Sequence, residues 1–149
     1  MDKMHSLKIL SSGSNEVHAL PSKAIWGFGR VNVVLLGDSI FDNQCYVEQD
    51  LAVIDHLRKW LGSAGTASLL AVDGSVARDV NRQFVRIPLD ATHVFLSAGG
   101  NDALGCMSVL NQPVSTVMEA LGLLTERQTS FANDYLALAD QLVRLNLPV

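Results

Sequence analysis

The sequence predicts an α/β fold, a doubly wound parallel sheet, from three observations. Short continuous apolar runs alternate along the chain with segments of helical periodicity. The runs are apolar throughout instead of alternating with polar residues, as strands buried on both faces are. Each run ends on a block that carries a glycine and a polar side chain. Such alternation predicts parallel strands joined by right-handed crossovers, with helices on both faces of the sheet. The chain has 149 residues, 48% hydrophobic and 17% charged. One core of that size forms without a disulfide or metal staple.

Residues Met1 to Arg30 contain Ser11, Ser12, Gly13, Ser14, Asn15 and Pro21, which interrupt every periodic pattern. They are expected to be an unpatterned, poorly ordered extension, with the domain over 31–149. The first strand is predicted at Val33–Leu36, ended by Gly37. A helix is predicted over Val47–Leu61, with Leu51, Ile54, Leu57, Trp60 and Leu61 on its apolar face. The second strand is expected at Ser68–Val72, ended by Asp73-Gly74, and a shorter helical pattern at Val76–Val85. The third strand is expected at His93–Ala98, ended by Gly99-Gly100. After Pro113, apolar residues at Val117, Leu121, Leu124, Phe131, Tyr135, Leu138, Leu142 and Leu145 keep a helical spacing, with a break expected near Thr125. Leu145 to Val149 reads as the close of a helix leading into a further buried strand.

Composition excludes several classes. The formal charge of -4 comes without a basic cluster, so a nucleic-acid partner is not expected. No apolar stretch approaches the length of a secretory signal core or a membrane span, which predicts a cytoplasmic protein without a membrane partner. Cys45 and Cys106 stand apart, with no Cys-x-x-Cys pattern, and are expected to be buried free thiols. No metal and no cofactor are expected. Gly27-Phe28-Gly29-Arg30 precedes the first strand and no phosphate-binding loop follows it, which argues against nucleotide binding. Asp38 and Asp42 lack the downstream lysine and acidic pair that would hold magnesium for phosphotransfer. Nothing in the sequence specifies an oligomeric state.

In open α/β sheets ligands bind outside the carboxyl ends of the strands. Three blocks should therefore converge: Gly37-Asp38-Ser39-Ile40, Val72-Asp73-Gly74-Ser75 and Gly99-Gly100-Asn101-Asp102. A serine just after a buried strand exposes its hydroxyl at the sheet edge while its N–H faces the same point, which suits a nucleophile. Gly74 admits close approach to a substrate. Asn101 offers a neutral amide donor for a developing oxyanion. Asp42 and Asn43 either contribute to this site or cap the next helix. Asp38 is expected to orient the turn, its side chain pointing away from Ser39.

These blocks resemble those of the GDSL/SGNH hydrolase family of ester and acyl hydrolases. Gly37-Asp38-Ser39 matches the first family block, Gly74 the second-block glycine, and Gly99-Gly100-Asn101-Asp102 the third block, Gly-x-Asn-Asp. Gly-Asp-Ser alone occurs by chance in roughly a few per cent of chains; three blocks in order, each after a predicted strand, do not. The wider strings Leu36 to Asn43 and Ala71 to Gly74 look like a bacterial branch, and the resemblance covers about Val31 to Val149. It implies a flavodoxin-like sheet and a serine nucleophile at Ser39. It also implies an oxyanion hole from the Ser39 and Gly74 N–H groups and the Asn101 amide, with Gly37, Asp38, Gly99, Gly100 and Asp102 in support. The partner implied is a small-molecule ester of unspecified class.

The family's base lies in a late Asp-x-x-His block, and this chain has no histidine after His93. Asp2-Lys3-Met4-His5 and Asp90-Ala91-Thr92-His93 contain the pattern, but neither stands at the family position. His93 should lie roughly 20 Å from the site, at the opposite end of its strand. His56 is expected on the exposed face of the first helix, and His5 and His18 fall in the extension. The expectation is a C-terminally shortened domain with three strands of the family sheet, keeping the nucleophile and oxyanion hole but not the base, so that its activity is weak or lost. The alternative is a non-catalytic binding or interaction module derived from the same fold.

Overall fold

The structure, a computed structural model, describes residues 29–149. The expected extension therefore lies almost wholly outside the described residues, as do His5 and His18. Three parallel strands, β1 (Val31–Gly37), β2 (Gly65–Leu69) and β3 (His93–Ser97), form one sheet in the order β2-β1-β3. Val33 pairs with Ala67 on one side and with His93 on the other. The central strand is the most apolar one, Val33 to Leu36, and it is buried on both faces.

Helices cover both faces, as the alternation predicts. On one face Val33, Leu35 and Ala67 pack against Ile54 and Leu61 of α1 (Val53–Leu61). On the other, Val34, Leu36 and Val94 pack against Val80 of α2 (Ala77–Val80) and Leu138 of α4 (Val117–Leu145). Burying side chains such as Leu36 and Leu138 contributes about 1.5–3 kcal/mol each. Between these helices α3 (Gly100–Leu110) follows β3 directly, which completes the expected β-α-β-α-β-α order.

Four boundaries differ from the sequence reading, each for a local reason. The first helix begins at Val53, not Val47, because Gln44–Tyr46 forms a short 3-10 turn and Glu48 takes a φ of 49°. The second strand pairs regularly at Gly65–Leu69 instead of Ser68–Val72. Leu70 and Ala71 both donate to the Leu35 carbonyl, at 2.9 Å each, a bulge that carries the chain off the regular ladder. The Val76–Val85 pattern resolves into α2 and a separate 3-10 turn at Phe84–Arg86.

The fourth difference is at Thr125, where no break occurs. Its hydroxyl donates to the Leu121 carbonyl at 2.8 Å, and Thr129 does the same to Thr125, so both threonines are absorbed within a continuous α4. That helix starts at Thr116, whose hydroxyl accepts the Glu119 N–H at 3.1 Å. It ends at Asn146 in the left-handed conformation.

The sheet has two edges, and each is partly occupied. Arg58 of α1 donates from Nε to the Ala67 carbonyl of β2 at 3.1 Å. At β3 the Val94 N–H donates to the Pro148 carbonyl at 2.9 Å, while Phe95 stays half exposed. The β3 edge is thus met in part by the segment after α4, where the sequence reading expected a further strand. Among the described residues, no helix is long and apolar enough to cross a membrane.

Candidate active site

The carboxyl end of β1 is shaped by a backbone approach that only glycine allows. Gly37 has a φ of +127°, and a Cβ there would lie 1.9 Å from the Ser97 carbonyl oxygen of β3. Asp38 follows, 4% exposed. Its Oδ1 accepts the Ser97 hydroxyl at 2.8 Å and the Ile40 N–H at 3.1 Å. The Phe41 and Asp42 N–H groups both return to the Asp38 carbonyl, at 3.1 and 3.0 Å. Asp38 to Asp42 is therefore a single turn with Ser39 in its second position. Ser39 is half-buried, and among the described residues its hydroxyl makes no hydrogen bond. Asp38 thus holds the turn through both its carboxylate and its carbonyl.

The second block is a four-residue turn closed by the Ser75 N–H on the Val72 carbonyl at 3.1 Å. Gly74 occupies its third position with a φ of +78°, as a type II turn requires. A Cβ on Gly74 would meet nothing within 4 Å, so the residue answers to backbone conformation and faces open space. The Asp73 N–H donates to Asp42 Oδ2 at 2.9 Å, which ties this turn to the first. Asp73 Oδ2 accepts the Tyr46 hydroxyl at 2.8 Å and lies 3.9 Å from Cys45 Sγ. That hydrogen bond, with the carboxylate's negative charge, holds the phenol proton and pushes the Tyr46 pKa up to about 12.

The third block opens α3. Gly99, at a φ of +114°, precedes the helix, and a Cβ on Gly100 would lie 4.0 Å from Asp38 Oδ2. Asn101 donates from Nδ2 to the Ser75 carbonyl at 2.9 Å, and Asp102 Oδ2 accepts the Ala77 N–H, the first of α2, at 2.9 Å. One amide hydrogen of Asn101 is thereby engaged and its second is not consumed by that bond. The three blocks thus meet pairwise at the carboxyl edge of the sheet, as strand topology requires.

Asp42 and Asn43, left open by the sequence, separate in role. Asn43 Oδ1 accepts the Val53 N–H at 3.0 Å and so caps α1 from ten residues upstream. Asp42 bonds the Asp73 turn. The cysteines need a correction: they are free, but Cys45 is exposed and Cys106 only partly covered, because both stand on segments at the rim and not in the core. His56 is exposed on α1, and His93 opens β3 at its amino end, with Nδ1 2.9 Å from the Thr92 hydroxyl. Neither is at the edge that carries Ser39. Among the described residues, no group of three or more histidines, cysteines or carboxylates has a metal-binding arrangement.

Gln83 and Ser97 escaped the sequence reading. Gln83, 4% exposed, accepts the Gly37 N–H through Oε1 and donates through Nε2 to the Gly37 carbonyl, both at 2.8 Å. A signal for it existed, since Val76, Val80 and Gln83 share one helical face and the last is polar. Ser97, inside an apolar run, offered no comparable sign. In comparisons with known proteins, no protein-family model matches the chain, and no curated protein matches it.

Proposed function

We propose that this chain is a serine ester or acyl hydrolase domain of the GDSL/SGNH type, acting through Ser39. The observation that carries the reading is the junction of the three blocks. A half-buried serine whose hydroxyl makes no hydrogen bond among the described residues lies in a turn, flanked by a glycine turn and by an asparagine amide with a spare donor. In this reading Ser39 Oγ attacks the acyl carbonyl carbon and gives up its proton. The carbonyl oxygen becomes an oxyanion that accepts from the Ser39 and Gly74 N–H groups and from Asn101. Collapse expels the alcohol, which takes a proton, and water then releases the acid from the acyl-enzyme.

Asp38, Asp42, Asp73 and Asp102 surround these groups, their carboxylates held by N–H and O–H donors. The ion pairs among the described residues lie elsewhere, at Asp55, Asp79 and Asp134. A negative rim favours neutral esters over anionic ones. Among the described residues, His56 and His93 lie away from Ser39, so neither takes its proton. Oxyanion stabilisation and binding alone sustain about 10³–10⁴-fold over water, far below a complete triad.

Hydrolysis of p-nitrophenyl acetate by the wild type and by Ser39→Ala tests this reading. Weak turnover that disappears in the variant supports it; equal turnover in both removes Ser39 as nucleophile. A Ser39 hydroxyl without a hydrogen bond among the described residues also favours a second reading, a non-catalytic binding module that keeps the pocket. That reading expects a folded chain with no Ser39-dependent turnover.

A further inference from the structure

Gly37 is the last residue of β1, and its N–H and C=O face the side where β2 runs. Leu35, two residues earlier, meets backbone donors from Leu70 and Ala71 there. By Gly37 the neighbouring chain has left the ladder, and Val72 reaches only the carbonyl, at 3.0 Å. The Gln83 carboxamide fills the remaining place. Its acceptor takes the Gly37 N–H and its donor takes the Gly37 C=O, so one side chain acts as the peptide group of an absent strand neighbour. The same Nε2 lies 3.4 Å from the Ser75 hydroxyl, and the Ser75 carbonyl holds Asn101 at 2.9 Å.

We infer that Gln83 is a positioning residue that fixes the nucleophile turn relative to the oxyanion donors. It reaches all three blocks: Gly37 directly, the glycine turn through Ser75, and Asn101 through the Ser75 carbonyl. The inference rests on the reading of Ser39 as nucleophile. Of the uncharged side chains long enough for this site, only a carboxamide carries both an acceptor and a donor at the spacing of one residue's N–H and C=O. Methionine matches its length and supplies neither; ionised glutamate supplies only the acceptor. Fixing such groups matters because a shift of about 1 Å in a reacting group costs on the order of 100-fold in rate.

The test is saturation labelling of the full chain with a fluorophosphonate, a neutral electrophile that phosphonylates a serine hydroxyl beside oxyanion donors, followed by intact mass and peptide mapping. Wild type, Ser39→Ala and Gln83→Met are compared, with thermal unfolding to show that each is folded. Nitrogen-15 spectra follow Gly37 amide exchange and the Asn101 side-chain NH₂ signals. The expected result is labelling at Ser39 in the wild type and none in Ser39→Ala. In Gln83→Met, the limiting labelling rate falls roughly 10- to 100-fold, while the probe concentration at half-saturation changes less than about threefold. The Gly37 amide loses protection and the Asn101 signals move. A folded Gln83→Met that labels at the wild-type limiting rate, or whose Asn101 signals stay in place, overturns the inference while leaving Ser39 intact as nucleophile. A wild type that is not labelled at Ser39 overturns the hydrolase reading and the positioning role with it. Should Gln83→Met fail to fold, Gln83→Glu, which keeps the Gly37 N–H acceptor, is held to the same two criteria.

Discussion

Replacing Gly37 by alanine should damage the protein where β1 meets Ser97 of β3 beside the Asp38–Asp42 turn. Two costs combine. The φ of +127° is a conformation that L-residues rarely adopt, and holding alanine in such a region costs about 1–3 kcal/mol. The added methyl would stand 1.9 Å from the Ser97 carbonyl oxygen, and forcing an extra carbon into a packed site costs about 1–3 kcal/mol more. Neither side can yield freely, since Gln83 grips Gly37 on one flank and Asp38 grips the Ser97 hydroxyl on the other. The sum, about 2–6 kcal/mol, is a large share of the roughly 5–15 kcal/mol that stabilises a domain. Urea denaturation and calorimetry should show Gly37→Ala falling by at least about 6 °C in Tm. Gly105→Ala is the control: its Cβ meets nothing within 4 Å, and it lies inside α3. It should be neutral or stabilising by up to about 1 kcal/mol. If Gly37→Ala unfolds within about 2 °C of the wild type, the backbone approach described for this edge is wrong.

Three other outcomes are expected. Asp38→Asn keeps an acceptor for the Ile40 N–H but sets an amide donor in a buried site built for acceptors; it should lose about 1–3 kcal/mol in chemical denaturation. Tyr46 should ionise late in an alkaline ultraviolet titration, near pH 12, when Tyr46→Phe is used as the difference reference. Asp73→Asn should bring that step back towards 10, and because the folded pKa is the raised one, the Tyr46–Asp73 contribution to stability is complete below about pH 10 and is lost as pH rises through 12. Arg58→Ala frees the Ala67 carbonyl at the β2 edge; it should cost about 0.5–1.5 kcal/mol in urea and raise light scattering on heating.

The strands were legible because buried parallel strands write themselves as unbroken apolar runs, and Val33 to Leu36 and Val94 to Leu96 did so. The second strand was displaced because Gly65, Thr66 and Ala67 carry little apolar signal, while Leu70 to Val72 look like strand but belong to the bulge and the segment leaving it. Helix starts were misread where a distant side chain does the capping, as Asn43 does for Val53. Thr125 reads as a helix breaker only if its hydroxyl competes with the backbone from outside; here it bonds the turn below. At the site, the three blocks were visible from their positions after strands. The side chains that join them were not, because Gln83 and Ser97 act through tertiary neighbours 46 and 59 residues away.

The sequence by itself determined the α/β alternation, the parallel sheet and the three polar blocks at its carboxyl edge. Each follows from local pattern: apolar runs for buried strands, glycines where the chain must turn, polar residues just beyond. Only the tertiary structure decided how those blocks are held to one another. Gly37 had to be glycine because of a carbonyl on another strand, and Asp42 became a brace for Asp73 instead of a helix cap. Such choices depend on which groups meet across long sequence separations, where a hydrogen bond or a clash of a few ångströms is set by the packed sheet and by nothing in the neighbouring residues.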